Sequence, residues 1–205
     1  NGPVGSVFLF SHVPLEHLDA LPILLSSQSE TSVNLVKIIL EDFYQVQPTY
    51  VSGDVSAADG QTYQAVLAIG DDALRLVDTS TYLYQFDLGD IWKRETGLPF
   101  VFSVCAVRED FCTSHPEILA AIHSELLRCR DEGKADLKEI CRLSASRIPM
   151  SVKKCYDYLT AIEHDLNALK RKALETFFTM LITIKVVAAS ALPLKIVSNI
   201  QRSEE

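Results

Sequence analysis

The stretch AVLAIGDDAL, residues 65–74, decides the fold of this 205-residue chain. Its first five residues are all apolar, which is typical of a strand that is buried on both faces. Gly70 ends the strand, and Asp71 and Asp72 open a helix whose positive end favours their negative charges. A buried strand that leads directly into a helix is characteristic of an α/β sheet.

Similar apolar runs surround this stretch. They predict further strands at residues 4–10, 22–25, 49–51, 82–86 and 100–107. Helices are predicted at residues 27–43 and 88–94, the first with Ser27 as N-cap and Glu30 completing a capping box. Alternating strands and helices of this kind favour a parallel or mixed α/β sheet that helices cover.

The chain changes character at Ser114. Ser114 and Glu117 have the spacing of a second capping box, and helices are predicted from there to about residue 183. Pro149 separates two of these helices. The sequence therefore predicts a helical carboxyl-terminal region after the α/β part.

The composition excludes several classes of protein. Hydrophobic residues make up 48% and charged residues 22%, as in soluble globular proteins and unlike disordered or collagen-like chains. A net charge of −8 without a basic run argues against nucleic acid and anionic membranes as partners. Lysines and a proline interrupt the most apolar stretch, residues 176–197. Because no signal-peptide pattern opens the sequence either, we expect a cytoplasmic protein.

The cysteines and histidines do not predict a metal site. The chain has five of each, but no C-x-x-C, H-x-x-x-H or H-E-x-x-H spacing. The cysteines are therefore expected to be reduced thiols, and no metal ligand is assigned.

Three loops carry polar residues with more than one interpretation. The loop GPVGS at 2–6 either only turns the chain or presents the Ser6 hydroxyl at a cleft. The segment SQSETS at 27–32 either caps a helix or binds a carboxylate or phosphate there. Asp71 follows a strand, where ligands gather in α/β sheets, and is either a helix cap, a base or a hydrogen-bond acceptor. The residues alone leave these alternatives open.

Five sequence blocks follow one another along the chain, and in this order they resemble the chorismate dehydratase family of the futalosine route to menaquinone. They are GPVGS at 2–6, SQSETSV at 27–33, IGDDAL at 69–74, FDLGDIWK at 86–93 and TGLPFVF at 96–102. The resemblance implies a fold like that of type 2 periplasmic binding proteins, with two lobes, mixed sheets and a helical carboxyl-terminal region. Residues 1–10 would then be the first crossover strand and 11–98 the intervening lobe. Residues 99–205 would form the second crossover strand and the helical remainder of the first lobe.

The same resemblance implies a hydro-lyase that converts chorismate to 3-[(1-carboxyvinyl)oxy]benzoate without a metal or cofactor. Its partner would be chorismate, a small dicarboxylate, and the resemblance implies no nucleic acid and no membrane as partners. The catalytic serine of the family corresponds to Ser6. The residues that correspond to substrate-binding positions are Ser29, Thr31, Ser32, Asp71, Thr96 and Gly97.

The sequence also departs from the family. A segment with a catalytic asparagine opens the family's sequences and would precede Asn1, so we expect this chain to be nearly inactive alone. Cys105 replaces a tryptophan, and Glu30 places a negative charge where an anion is expected. The alternatives are a non-catalytic solute-binding domain of the same fold, the sister dihydroxynaphthoate synthase and an inactive gene product. The block at 96–102 argues against the sister enzyme.

Overall fold

A computed structural model describes residues 2–57, 62–147 and 150–197. The chain divides into two compact units. The first unit comprises Asn1–Phe102 and His164–Ala191, and the second comprises Ser103–Glu163 and Leu192–Glu205. Pro149, predicted to separate two helices, lies outside the described residues.

The first unit contains a five-stranded mixed sheet with the order β3-β2-β4-β1-β5. Its strands are β1 (Val7–Ser11), β2 (Pro22–Ser26), β3 (Thr49–Gly53), β4 (Ala65–Ile69) and β5 (Tyr84–Asp87). Strand β2 pairs parallel with β3 and β4, whereas β1 pairs antiparallel with β4 and β5. The prediction of a mixed α/β sheet is confirmed, and the bounds of β4 are those expected from its apolar run.

Eight α-helices lie in the described residues. They are α1 (Glu30–Lys37), α2 (Gly70–Val77), α3 (Leu88–Thr96), α4 (Glu109–Ser114), α5 (Pro116–Ala135), α6 (Leu137–Ser144), α7 (Val152–Ala161) and α8 (Ala168–Thr183). A π-helical segment, Ile38–Phe43, extends α1, and short 3₁₀ turns lie at Leu15–His17, Val55–Ala57, Ala145–Arg147 and Ala189–Ala191. The helical region predicted after the α/β part is confirmed. No helix of the described residues combines the length and apolar content needed to cross a bilayer.

Apolar side chains are buried on both faces of the sheet. Leu9 and Leu67 join the larger core cluster, whereas the adjacent Phe10 and Val66 join the smaller one. Neighbouring residues of a strand point to opposite faces, so this division shows why the strands are apolar without alternation. In the larger cluster, the ring of Trp92 in α3 packs edge-on against the ring of Phe177, with the ring centroids 5.9 Å apart.

Strand β1 begins three residues later than the apolar run at 4–10 predicts. The backbone N–H groups of Val4 and Gly5 donate to the side chain of Asp87, with the shortest distances 2.9 and 2.7 Å. They are therefore not part of the strand ladder. The apolar character of Val4 comes from packing against the larger core, not from a strand.

The strand predicted at 100–107 is wrong. The segment forms no strand ladder in the described part of the chain. Phe100 and Phe102 pack their rings against each other, with centroids 4.6 Å apart, and Phe100 also contacts Trp92. Beyond them, Val104 is 50% exposed. The apolar residues of segment 100–107 therefore either pack their rings against other rings or lie exposed at the surface. A run of hydrophobic residues in the sequence does not distinguish these two cases from a buried strand.

The second unit is helical and has a small core made by Cys141, Ala145 and Cys155. All five cysteines are free thiols. Burial raises the pKa of the Cys141 thiol, and the neighbouring Cys155 thiol raises it further. The capping box predicted at Ser114 is wrong, because Ser114 is the last residue of α4 and its hydroxyl donates to the carbonyl of Asp110.

Candidate functional site

Several predicted site residues meet at one edge of the sheet. Strands β2 and β4 run parallel, and β1 runs antiparallel to β4 and β5. The carboxyl ends of β2, β4 and β5 therefore lie at the edge where β1 begins. Ser6 immediately precedes β1, and helices α1, α2 and α3 begin just after β2, β4 and β5. We call this the Ser6 edge; it places Ser6, Ser29, Thr31, Ser32 and Asp71 at one end of the sheet.

Ser6 is buried, with 6% of its surface exposed. Its carbonyl accepts a hydrogen bond of 2.8 Å from the N–H of Gly70, the first residue of α2. Gly5 and Gly70 have φ values of 74° and 55°, in the left-handed region that glycine enters at little cost. Two glycine conformations thus fix the backbone on either side of this contact.

Helix α1 is capped by Ser29, not by Ser27 as predicted. The N–H of Ser27 instead donates to the carbonyl of Gly53, which keeps Ser27 in the turn after β2. Ser29 Oγ accepts from the N–H of Ser32 at 3.2 Å and donates to Ser32 Oγ at 3.1 Å. Both serines are therefore engaged with each other. Thr31 is partly exposed beside them, and Glu30 is exposed, so its charge faces solvent.

The start of α2 brings carboxylates to the same edge. Asp71 is exposed, and it has no hydrogen bond or ion pair within the described ranges. Asp72 accepts from Arg75 at 3.2 Å, and the side-chain amide of Gln28 approaches its other oxygen at 3.5 Å. This contact joins the turn before α1 to the first turn of α2. Among the described side chains none caps α2, so Asp71 is not a helix cap here and is a hydrogen-bond acceptor open to a ligand.

The sequence reasoning missed Asp87, the last residue of β5. Four backbone N–H groups donate to its carboxylate, those of Val4, Gly5, Gly89 and Asp90, at 2.7–3.1 Å. The last two donors belong to the first turn of α3, of which Asp87 is the N-cap. An aspartate immediately before a helix is a recognisable cap signal. The contacts to Val4 and Gly5 have no local signal, because they join residues more than 80 positions apart.

Gly89 lies directly against the loop that precedes Ser6. A Cβ added to Gly89 would stand 2.7 Å from the carbonyl oxygen of Gly2 and 3.3 Å from the nitrogen of Val4. Only glycine permits such a close approach of two backbones. The first turn of α3 is therefore the support on which the Ser6 loop rests.

The structure does not bring Thr96 and Gly97 to the Ser6 edge. They lie at the other end of α3, about 13 Å from Asp87 along the helix axis, because each helical residue adds about 1.5 Å. Thr96 Oγ1 donates to the carbonyl of Trp92 at 2.7 Å and accepts from the N–H of Leu98 at 3.1 Å. Gly97 has a φ of 72° and ends the helix. The contact of these two residues with a substrate stays a prediction.

The Ser6 edge offers hydroxyl groups, backbone N–H groups and carboxylates. Among the described residues, no three His, Cys, Asp or Glu side chains gather to hold a metal ion. Hydroxyl and N–H donors suit a substrate with negatively charged or leaving oxygen atoms. A nearby carboxylate can accept a proton or orient a hydroxyl group.

Comparison with known proteins gives two results. A family model described as menaquinone biosynthesis matches residues 1–182. A protein of Thermus thermophilus, named chorismate dehydratase, is 29% identical over 191 residues. The match covers 86% of this chain and 68% of the relative.

Proposed function

Because the chain belongs to the menaquinone biosynthesis family, we propose that its protein is a hydro-lyase that dehydrates chorismate to 3-[(1-carboxyvinyl)oxy]benzoate. The relative from Thermus thermophilus, which is named for this activity, supports the choice of substrate. The structural observation that carries the proposal is that Ser6 and the starts of α1 and α2 lie at the same edge of the sheet. Ligands of open α/β sheets bind at such edges.

The reaction removes one water molecule and leaves an aromatic ring. The ring carbon that bears the enol ether loses a proton. The neighbouring carbon loses its hydroxyl group, which takes up a proton and departs as water. Aromatisation favours the products, so the protein has to orient the substrate and assist two proton transfers. In this proposal, Ser6 donates a hydrogen bond to the departing hydroxyl group.

The other residues of the Ser6 edge would bind the substrate. Ser29, Ser32 and Thr31 stand in the first turn of α1, where the helix dipole favours a carboxylate. Asp71 is an acceptor that can orient the substrate hydroxyl. Because the chain carries a net charge of −8, long-range attraction does not bring a dicarboxylate to this edge. Short-range donors must therefore supply the affinity.

We extend the proposal to the architecture of the whole protein. It would have two lobes like type 2 periplasmic binding proteins, with residues 1–10 as the first crossover and residues 11–98 as the intervening lobe. Residues 99–205 would contain the second crossover and the helical remainder of the first lobe. The mixed sheet supports this, because β2 to β5 lie within 11–98 and β1, which comes from the first crossover, pairs between β4 and β5. A cytoplasmic location is part of the same proposal.

The test is turnover by the complete protein that the natural gene encodes. Purified protein is incubated with chorismate, and the mixture is followed by liquid chromatography and mass spectrometry. We expect chorismate to be replaced by a product lighter by one water. Unchanged chorismate would overturn the proposal. If chorismate then still raised the melting temperature, the protein would be a binding protein, and conversion of a cyclic futalosine derivative would indicate the sister enzyme.

A further inference from the structure

The two oxygens of Asp87 share one partner, Val4, and otherwise accept from different segments. Oδ1 accepts from Gly89 at 2.9 Å and from Asp90 at 3.1 Å, both in the first turn of α3. Oδ2 accepts from Val4 at 2.9 Å and from Gly5 at 2.7 Å, both in the loop before Ser6. The N–H of Val4 also reaches Oδ1 at 3.1 Å. One oxygen thus caps the helix, and the other binds the loop.

We propose that Asp87 is a positioning residue that holds Ser6 in the geometry required for turnover. This inference rests on the proposed function of Ser6 as the group that contacts substrate. Asp87 acts through the backbone of the loop and is not assigned a contact with the substrate.

Helix capping alone does not explain the contacts of Asp87. A capping side chain needs to satisfy only the N–H groups of the first helical turn, and one oxygen does this here. The second oxygen is used by Val4 and Gly5, which lie two residues and one residue before Ser6. Charge-assisted hydrogen bonds of this kind are shorter and stronger than neutral ones, and two of them fix a short loop.

The serine is held from its other side as well. The carbonyl of Ser6 accepts from the N–H of Gly70, and Val7, the next residue, pairs with Ile69 in the sheet. Ser6 therefore stands between a clamp on its amino side and a strand on its carboxyl side. Releasing the clamp would leave the contacts on the carboxyl side of Ser6, to Gly70 and within the sheet, but remove those on its amino side.

The division of labour between the two oxygens suggests a selective variant. In Asp87→Asn, the carbonyl oxygen can still cap α3, because asparagine is as good an N-cap as aspartate. The amide group replaces Oδ2 and presents hydrogen atoms to the N–H groups of Val4 and Gly5. Donors then face donors at the position of Oδ2. The loop loses the contact of Gly5 and the shorter contact of Val4 and keeps the 3.1 Å contact of Val4 to Oδ1, while the helix keeps its cap.

The experiment compares Asp87→Asn with Asp90→Asn in the complete natural protein. Asp90 is exposed in the same helical turn, and its substitution removes the same charge but keeps its backbone N–H. We expect Asp87→Asn to lower kcat for chorismate about 100-fold, the cost of a misplacement near 1 Å, with KM nearly unchanged. Asp90→Asn should keep the kcat of the wild type.

A second readout needs no turnover. Hydrogen–deuterium exchange of the peptide containing Val4 and Gly5 should speed up in Asp87→Asn and stay unchanged in Asp90→Asn. If Asp87→Asn does not fold, Asp87→Ser takes its place, because serine also caps α3 but cannot supply a second carboxylate oxygen.

The outcomes separate the two proposals. A folded Asp87→Asn or Asp87→Ser variant with the kcat of the wild type would overturn the positioning role. So would unchanged exchange at Val4 and Gly5, even if the wild type proved unable to convert chorismate. Failure of the wild type on chorismate, combined with faster exchange in Asp87→Asn, would overturn the proposed function and leave the clamp supported.

Discussion

The two ends of α3 are held in different ways. At its start, Asp87 accepts from Val4 and Gly5, more than 80 residues away in the sequence. At its end, Thr96 bonds to Trp92 and Leu98 and to no other described residue, and Lys93 Nζ donates to the carbonyl of Gly97 at 2.7 Å. At the start of α3, Asp87 ties the helix to a distant loop through backbone groups of that loop. At its end, the bonds that close the helix come from residues no more than four positions away, and a distant residue is reached through the exposed Arg94 side chain, which donates to the hydroxyl of Tyr44.

This difference separates contacts that hold the Ser6 loop from contacts that end the helix. The FDLGD block at the start of α3 supports the loop of Ser6 through Asp87 and Gly89. The contacts seen for Thr96 and Gly97 terminate the helix and lie away from the Ser6 edge. We therefore expect changes at Asp87 and Gly89 to affect both stability and turnover, and changes at Thr96 and Gly97 to affect stability alone.

Substitution of Gly89 by alanine should have the largest effect on stability. The new methyl group would stand 2.7 Å from the carbonyl oxygen of Gly2, a backbone atom that cannot move without the loop. Crowding of this kind costs about 1–3 kcal/mol of unfolding free energy, and the displaced loop should lower turnover as well. Urea denaturation and chorismate turnover measure the two effects.

Gly133→Ala is the matched control. Gly133 lies inside α5, and a Cβ there would meet Ile140 at an ordinary 3.8 Å. This substitution should stabilise the protein by about 0.5–1 kcal/mol, because alanine favours a helix more than glycine does. Equal effects of the two alanines would contradict the close approach at Gly89.

Gly97→Ala should have the next largest effect. Gly97 has a φ of 72°, in which an alanine side chain is strained by about 1 kcal/mol. No atom of the residues that the structure describes lies within 4 Å of the added methyl group, so the loss comes from the backbone alone. Asparagine, which tolerates this conformation, should lose less stability. Comparable losses for alanine and asparagine in thermal unfolding would argue against this explanation.

Thr96→Val should have the smallest effect. The substitution removes the hydroxyl that bonds to Trp92 and Leu98, at a cost of about 0.5–1 kcal/mol for partly exposed hydrogen bonds. KM for chorismate should stay that of the wild type. A clear rise in KM would instead support the sequence-based prediction that Thr96 binds the substrate.

Local patterns were enough to predict much of the sheet. The buried strand β4 and the helix after it follow from the AVLAIGDDAL stretch, and the order of strands and helices up to Thr96 is the expected one. The placement of Ser6, Ser29 and Asp71 at the sheet edge also agrees with the sequence, since each residue stands beside a strand end. Such features depend on neighbours in the chain.

The remaining features depend on contacts that are distant in sequence. The later start of β1 results from Asp87, and residues 100–107 form no strand because ring packing replaces a ladder. Even the cap of α1 shifts from Ser27 to Ser29, because Gly53 of another strand binds the backbone of Ser27. No spacing rule along the chain identifies these partners.

Turnover of chorismate by Ser6→Ala tests the central claim most directly, because it asks whether the Ser6 edge is the place of the reaction. The variant is made in the complete natural protein beside Ser80→Ala, an exposed serine in the loop between α2 and β5. Loss of a donor that acts on a departing oxygen costs about 100–1,000-fold in kcat. We therefore predict such a loss of kcat for Ser6→Ala, whose melting temperature should stay that of the wild type. Ser80→Ala should keep full activity. Wild-type turnover by a folded Ser6→Ala protein would contradict the account.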